Sequence, residues 1–186
     1  MLTAAEKHEP KLLAEFDSVA REFEALYARQ FNVVWRNLRR WGVPNALIED
    51  AAQDVFVVVH RRLAELRPGA SRTAWLFGIA LRVARDYRRR RQRKPAVNTD
   101  VDTHTSTERG PLERALHAEA ARVLERFLSS LDQDKRRVFV LAELEEMSAP
   151  EIGQALNAPV NTVYSRLRIA RERFVAFLQA EGVPHG

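Results

Sequence analysis

Apolar residues recur at three- and four-residue spacings along most of the chain, the period of an amphipathic α-helix. Phe23, Leu26, Tyr27, Phe31, Val34, Trp35 and Leu38 form the first such stripe, which predicts a helix capped by Ser18 and running to about Trp41. Residues 1–18 are expected to be a weakly ordered lead-in. Gly42-Val43-Pro44-Asn45 breaks the pattern, and Asn45 can cap a second helix to about Leu66, with Ile48, Ala52, Val55, Phe56, Val59 and Leu63 on one face. Arg67-Pro68-Gly69 ends it. A third helix starts at Ser71, buries Trp75, Leu76, Ile79 and Val83, and runs into Arg88–Lys94.

Residues 95–111 are polar and without a period, which predicts a flexible linker. The pattern restarts at Leu112 with a helix to Ser129, carrying Leu116, Val123, Leu124 and Phe127. Asp132 caps the next, with Val138, Leu141 and Leu144. A short helix covers Pro150–Leu156, Asn157-Ala158-Pro159 turns, and a last helix opens at Asn161 or Thr162 and runs to about Gln179. Strand signals are nearly absent. The reading is an all-α chain of two small helical domains, residues 19–94 and 112–180, joined by the linker at 95–111 and followed by a tail at 181–186.

Charge sharpens this picture. The net charge is +5, but residues 21–94 hold 17 Lys and Arg against 7 Asp and Glu, while residues 120–186 balance. The positive charge sits in the first half, as an electrostatic footprint for a polyanion would. The chain has no Cys, which excludes disulfides and thiol chemistry. No run approaches a membrane span, and the N-terminal residues lack a signal-peptide pattern, so a cytoplasmic protein without membrane insertion is expected. The five His are scattered and the single carboxylate cluster lies at Glu49, Asp50 and Asp54. Metal-dependent catalysis is therefore not expected, and neither a metal nor any other cofactor is implied.

Three segments carry candidate chemistry. Ser148–Arg173 has the layout of a helix-turn-helix, in which the second helix enters the DNA major groove. On that helix Val163, Leu167, Ala170 and Phe174 share one stripe, and the opposite side presents Asn161, Ser165, Arg168 and Glu172, flanked by Thr162, Arg166 and Arg173. Glu172 is expected above the groove, with Glu143, Glu145 and Glu146 on the far side. The second segment is the end of the third helix, where eight basic groups fall in the thirteen residues 82–94. Such density suits phosphate, and Trp75, Phe77 and Tyr87 could stack unpaired bases, although Trp75 and Tyr87 could instead be core. Asp86 is expected close to the buried Ile79/Val83 face, paired with a neighbouring Arg. The third is Glu49-Asp50-x-x-Gln53-Asp54, which favours either a helix dipole or a docked protein.

Together these segments resemble the extracytoplasmic-function sigma factors, promoter-recognition subunits of bacterial RNA polymerase. Ile48–Phe56 resembles their core-polymerase-binding motif, Ala74–Ala80 through Asp86 and the Arg run resembles their −10 helix, and Leu131–Arg137 with Ser148–Arg171 resembles their −35 helix-turn-helix. The resemblance implies that Glu49, Asp50, Gln53, Asp54 and Phe56 dock on the β′ clamp coiled coil, with the β flap as a further contact. It implies −10 DNA contacts from Arg72, Trp75, Phe77, Arg82, Arg85, Arg88 and Arg89, with the loop Leu66–Arg72 capturing the non-template strand. It implies −35 contacts from Asn161, Thr162, Tyr164, Ser165, Arg166, Arg168 and Arg171. An anti-sigma partner that holds the protein inactive, in some cases at the membrane, and a stress- or signal-responsive gene set are implied in the same way. Arg82 stands where the family usually has Asn, so the family's −10 base preference is not carried over. Asn157 and Asn161 stand for turn glycines, and Tyr164 for a basic residue. A stand-alone helix-turn-helix regulator is the rival reading, but it leaves the basic first half and the acidic patch unexplained.

Overall fold

The computed structural model describes residues 4–66, 69–93 and 111–182, with side chains described over 17–66, 69–91 and 118–182. Among the described residues every regular element is helical. The first half comprises α1 (Ala4–Arg40), α2 (Ile48–Arg62) and α3 (Arg72–Arg93). The second comprises α4 (Pro111–Ser130), α5 (Gln133–Phe139), α6 (Ala149–Leu156) and α7 (Val160–Ala180). The predicted linker and the tail beyond Gly182 lie outside the described residues, apart from Pro111, which opens α4.

α1 is longer than the sequence pattern suggests. It begins at Ala4 and passes through Ser18, which caps nothing; in the same turn Arg21 Nε donates to the Asp17 carbonyl at 3.1 Å. Alanine, glutamate, lysine and leucine dominate residues 4–16, and those residues favour a helix even where the apolar stripe is weak. α1 stops at Gly42, whose φ of +84° lets the Gly42 and Val43 amides return to the carbonyls of Arg39 and Leu38. A 3-10 turn at Asn45–Leu47 feeds α2, and another at Leu63–Glu65 ends it.

The second half is built on a ring cluster. Phe127 of α4 meets Phe139 of α5 at 5.0 Å and Phe174 of α7 at 4.8 Å, with Phe177 at 5.5 Å. Asp132 caps α5 by accepting from the Lys135 amide at 3.0 Å. α5 runs on into a π-turn over Val140–Leu144, and a capping box then opens α6, where the Ser148 amide donates to Glu151 Oε2 at 3.0 Å.

The two halves do not sit apart. α6 lies along α3, and buried residues of both halves form one continuous apolar cluster from Val34 to Ala170. Close approach needs a small residue on α3: a Cβ on Gly78 would stand 3.3 Å from the Ala155 carbonyl oxygen. Polar links rim this contact. Asn37 of α1, fully buried, donates from Nδ2 to Glu145 Oε1 at 2.8 Å as well as to the Val33 carbonyl at 2.9 Å, and Arg40 reaches the same Glu145 oxygen at 3.3 Å. Arg39 pairs with Glu125 at 2.9 Å. Ser71 accepts from the Ala74 amide at 3.2 Å, capping α3, and donates to Glu151 Oε1 at 2.8 Å. One hydroxyl thereby ties the start of α3 to the capping glutamate of α6, and hydrogen bonds from Ser148 and Ser71 hold the Glu151 carboxyl below its usual range.

Candidate nucleic-acid and protein interfaces

α6, the turn and α7 form the helix-turn-helix. Asn157 caps α6 in the left-handed region, φ 51° and ψ 51°, which an Asn tolerates better than most residues. Gly153 allows the sharp return, because a Cβ there would stand 2.9 Å from the Ala158 carbonyl oxygen. Val163, Leu167 and Ala170 are buried, which fixes the rotation of α7 about its axis. Asn161, Tyr164, Ser165, Arg168 and Arg171 are exposed, and Thr162 and Arg166 are half-buried. Tyr164 is 58% exposed, so its phenol stands off the surface.

Three arginines of this face are already paired. Arg168 meets Glu172 at 2.6 Å, one turn on, Arg166 meets Asp134 at 2.6 Å, and Arg171 meets Glu143 at 2.8 Å. The expectation that Glu143 lies on the far side is therefore wrong. The π-turn swings Glu143 towards α7 and Glu145 towards α1. The Arg168–Glu172 pair is exposed at both ends, and such a pair is worth only about 0.3–0.5 kcal/mol. A phosphate or base contact outweighs it, so the pairing does not lock Arg168 away from DNA.

The basic helix is less open than its sequence pattern. Arg72, Arg82, Arg85 and Arg89 are exposed, and Trp75 is half-buried against the core. Phe77 is not available for a base: it is 2% exposed, with its ring 6.0 Å from Trp41 and set edge-on to it. The third-helix stripe is broader than the sequence pattern allowed because both the first half and α6 cover it. Arg88 also departs from the outward orientation expected of it. Its Nη1 donates to Gln133 Oε1 at 2.5 Å, and burial with nearby Arg137 and Arg136 lowers its pKa. Asp86 is exposed rather than packed near Ile79, 3.8 Å from Arg85. Arg67 and Pro68 of the −10 loop, with Lys94, lie outside the described residues.

On α2, Glu49, Asp50, Gln53 and Asp54 are exposed together on the outer side. Phe56 is 3% exposed, yet one edge of it lines an apolar groove of about 330 Å³ between α1 and α2. Phe23, Tyr27, Gln53, Val57, His60 and Arg61 complete that groove. Sequence reasoning missed Phe23, Tyr27 and Val57 as surface residues. Tyr27 belongs to the apolar stripe of α1 but remains 39% exposed, and Val57 lies off the α2 stripe and is 46% exposed. A valine off the buried face of a helix was the available signal. Tyr87 of α3 reaches this side as well, donating from its hydroxyl to Asp54 Oδ2 at 2.8 Å. Among the described residues, no group of three His, Asp or Glu side chains is placed to hold a metal ion, and no helix is long and apolar enough to cross a membrane.

Residues 26–94 match the family model of sigma-70 region 2, and residues 121–174 that of sigma-70 region 4. The chain is 30% identical over 161 residues to the ECF RNA polymerase sigma-E factor of Haemophilus influenzae, covering 82% of this chain and 85% of that relative. It is 33% identical over 170 residues to the RNA polymerase sigma factor CnrH of Cupriavidus metallidurans, covering 87% and 88%. The solved structure of CnrH in complex with the cytosolic domain of CnrY superposes with a TM-score of 0.65 at 30% identity, covering 87% of this chain and 90% of that one. The sigma factor RpoE in complex with the anti-sigma factor NepR, from Bartonella quintana, shares the fold, with a TM-score of 0.70 at 18% identity over 86% of this chain and 98% of that one.

Proposed function

The chain belongs to the extracytoplasmic-function sigma factors of the sigma-70 family, RNA polymerase subunits that direct transcription initiation, and on that premise we propose which of its surfaces meets which partner. The α2 patch of Glu49, Asp50, Gln53 and Asp54, with the Phe56 edge in the adjoining groove, docks on the β′ clamp coiled coil of core polymerase. Carboxylates beside an apolar groove suit a partner helix that carries both basic and apolar residues. Arg72, Trp75, Arg82, Arg85 and Arg89 meet the −10 strand, with phosphate neutralised by the arginines. Asn161, Thr162, Tyr164, Ser165, Arg166, Arg168 and Arg171 read −35 in the major groove, and the second half also meets the β flap.

Sigma factors of this type act as initiation factors rather than as enzymes. An anti-sigma partner fits the closed arrangement: the related CnrH was solved with the cytosolic domain of CnrY, and RpoE with the anti-sigma factor NepR. Here α6 lies along α3, so promoter engagement by α3 calls for the halves to separate. Release from the partner in answer to a stress signal would supply that step. The resting protein would then be cytoplasmic, or held at the membrane by a membrane-bound partner.

The observation that carries this reading is the coexistence of an exposed recognition face on α7 with an exposed acidic patch on α2, which shares Gln53 with the apolar groove between α1 and α2. A stand-alone regulator would use the first and has no need of the second. Run-off transcription with core polymerase, on templates carrying the upstream region of its own gene, tests it. Discrete transcripts that depend on the protein are expected. Duplex binding without any transcript would favour the stand-alone regulator.

A further inference from the structure

We propose that Tyr87 is a positioning residue for the polymerase-docking patch: from α3, its buried hydroxyl holds the Asp54 carboxylate of α2 in the orientation that docking uses. The inference rests on the reading of Asp54 as a docking residue. Tyr87 is 8% exposed, and its hydroxyl donates to Asp54 Oδ2 at 2.8 Å, while Asp54 itself is exposed. One carboxylate oxygen is thus held from below, which leaves Oδ1 for an incoming cation. A hydrogen bond to an ionised acceptor is stronger and more directional than a neutral one. An exposed aspartate otherwise samples several rotamers and loses that freedom on binding; a side chain already held in place avoids the cost.

The phenol stays protonated as a donor, because burial, and then the bond to Asp54, push its pKa up to about 12. Tyr87 also carries the guanidinium of Arg90 over its ring at 5.3 Å and is followed by Arg88, so the same side chain joins the docking patch to the basic end of α3. A plainer account is that the hydroxyl of a buried tyrosine needs an acceptor and Asp54 supplies one. The two accounts differ in what polymerase senses, since a purely structural bond affects folding alone.

The test is a double-mutant cycle on the full chain. Labelled protein is titrated with core polymerase by fluorescence anisotropy, and unfolding midpoints are recorded beside it. Tyr87→Phe is expected to weaken binding about tenfold, the scale of one lost hydrogen bond, with the fold retained. Asp54→Ala is expected to weaken it by more, and in that background Tyr87→Phe is expected to cost nothing further. Wild-type affinity in Tyr87→Phe beside a weakened Asp54→Ala overturns this inference and leaves the docking reading standing. Equal losses from Tyr87→Phe in both backgrounds overturn it too, by showing that Tyr87 acts through the fold. Wild-type affinity in Asp54→Ala removes the docking reading and the inference with it.

Discussion

At the scale of single residues, burial separates side chains that look alike in the sequence. Trp75, Phe77 and Tyr87 all interleave with arginines on α3, yet each does something different. Phe77 is core, Trp75 sits half-buried against it, and Tyr87 spends its hydroxyl on Asp54. A base-stacking role leaves stability nearly unchanged when the ring is lost, whereas a core role does not. Phe77→Ala is expected to lower the free energy of unfolding by about 3–5 kcal/mol, the usual range for a deleted core ring, as read from denaturant titration. The arginines divide in the same way. Arg82, Arg85 and Arg89 are exposed, while Arg88 is drawn in between α3 and α5, where burial and two further arginines make its charge costly.

At the scale of elements, the helix-turn-helix depends on two backbone choices. Asn157 accepts a left-handed conformation, and Gly153 lets the chain fold back over α6. Gly153→Ala would set a Cβ 2.9 Å from a backbone carbonyl, and neither atom belongs to a flexible side chain. The turn must shift. Destabilisation of about 1–3 kcal/mol, in the range of overpacked sites, is expected in thermal melts. Weaker binding to a −35 duplex should accompany it, because α7 is aimed by that turn. The short helix and the turn were legible in the sequence, through Asn157, Pro159 and the Val163/Leu167 stripe, while α7 opens at Val160 rather than at Asn161 or Thr162. The reach of α1 back to Ala4 was not, since helix propensity without an amphipathic stripe leaves no periodic signal.

At the scale of the whole molecule, the contact between halves is small-residue packing framed by polar links. Gly78 admits α6, and Asn37, Arg40 and Ser71 hold the partner carboxylates of Glu145 and Glu151. Burial raises the pKa of Glu145 even with Asn37 and Arg40 beside it, so this link costs desolvation and does not clamp the halves irreversibly. Gly78→Leu would press a branched side chain against the Ala155 backbone. The expected outcome is a larger radius of gyration by small-angle scattering, with helix content by circular dichroism unchanged. A chain that stays as compact as wild type would show that α6 can repack around the larger residue.

The periodic apolar stripes and the turn residues by themselves determined an all-helical chain and the order of its helices, and three short motifs carried its resemblance to a known family. These signals are local, and each is written in residues three or four positions apart. Only the tertiary structure decided that Phe77 and Arg88 face inward, that Glu143 and Glu145 part towards different partners, and that Tyr87 meets Asp54. It also decided that α6 lies along α3. The physical reason is common to all of these: each depends on residues far apart in the chain, brought together by the packing of one helix on another, and no spacing along a single helix encodes which neighbour will cover it.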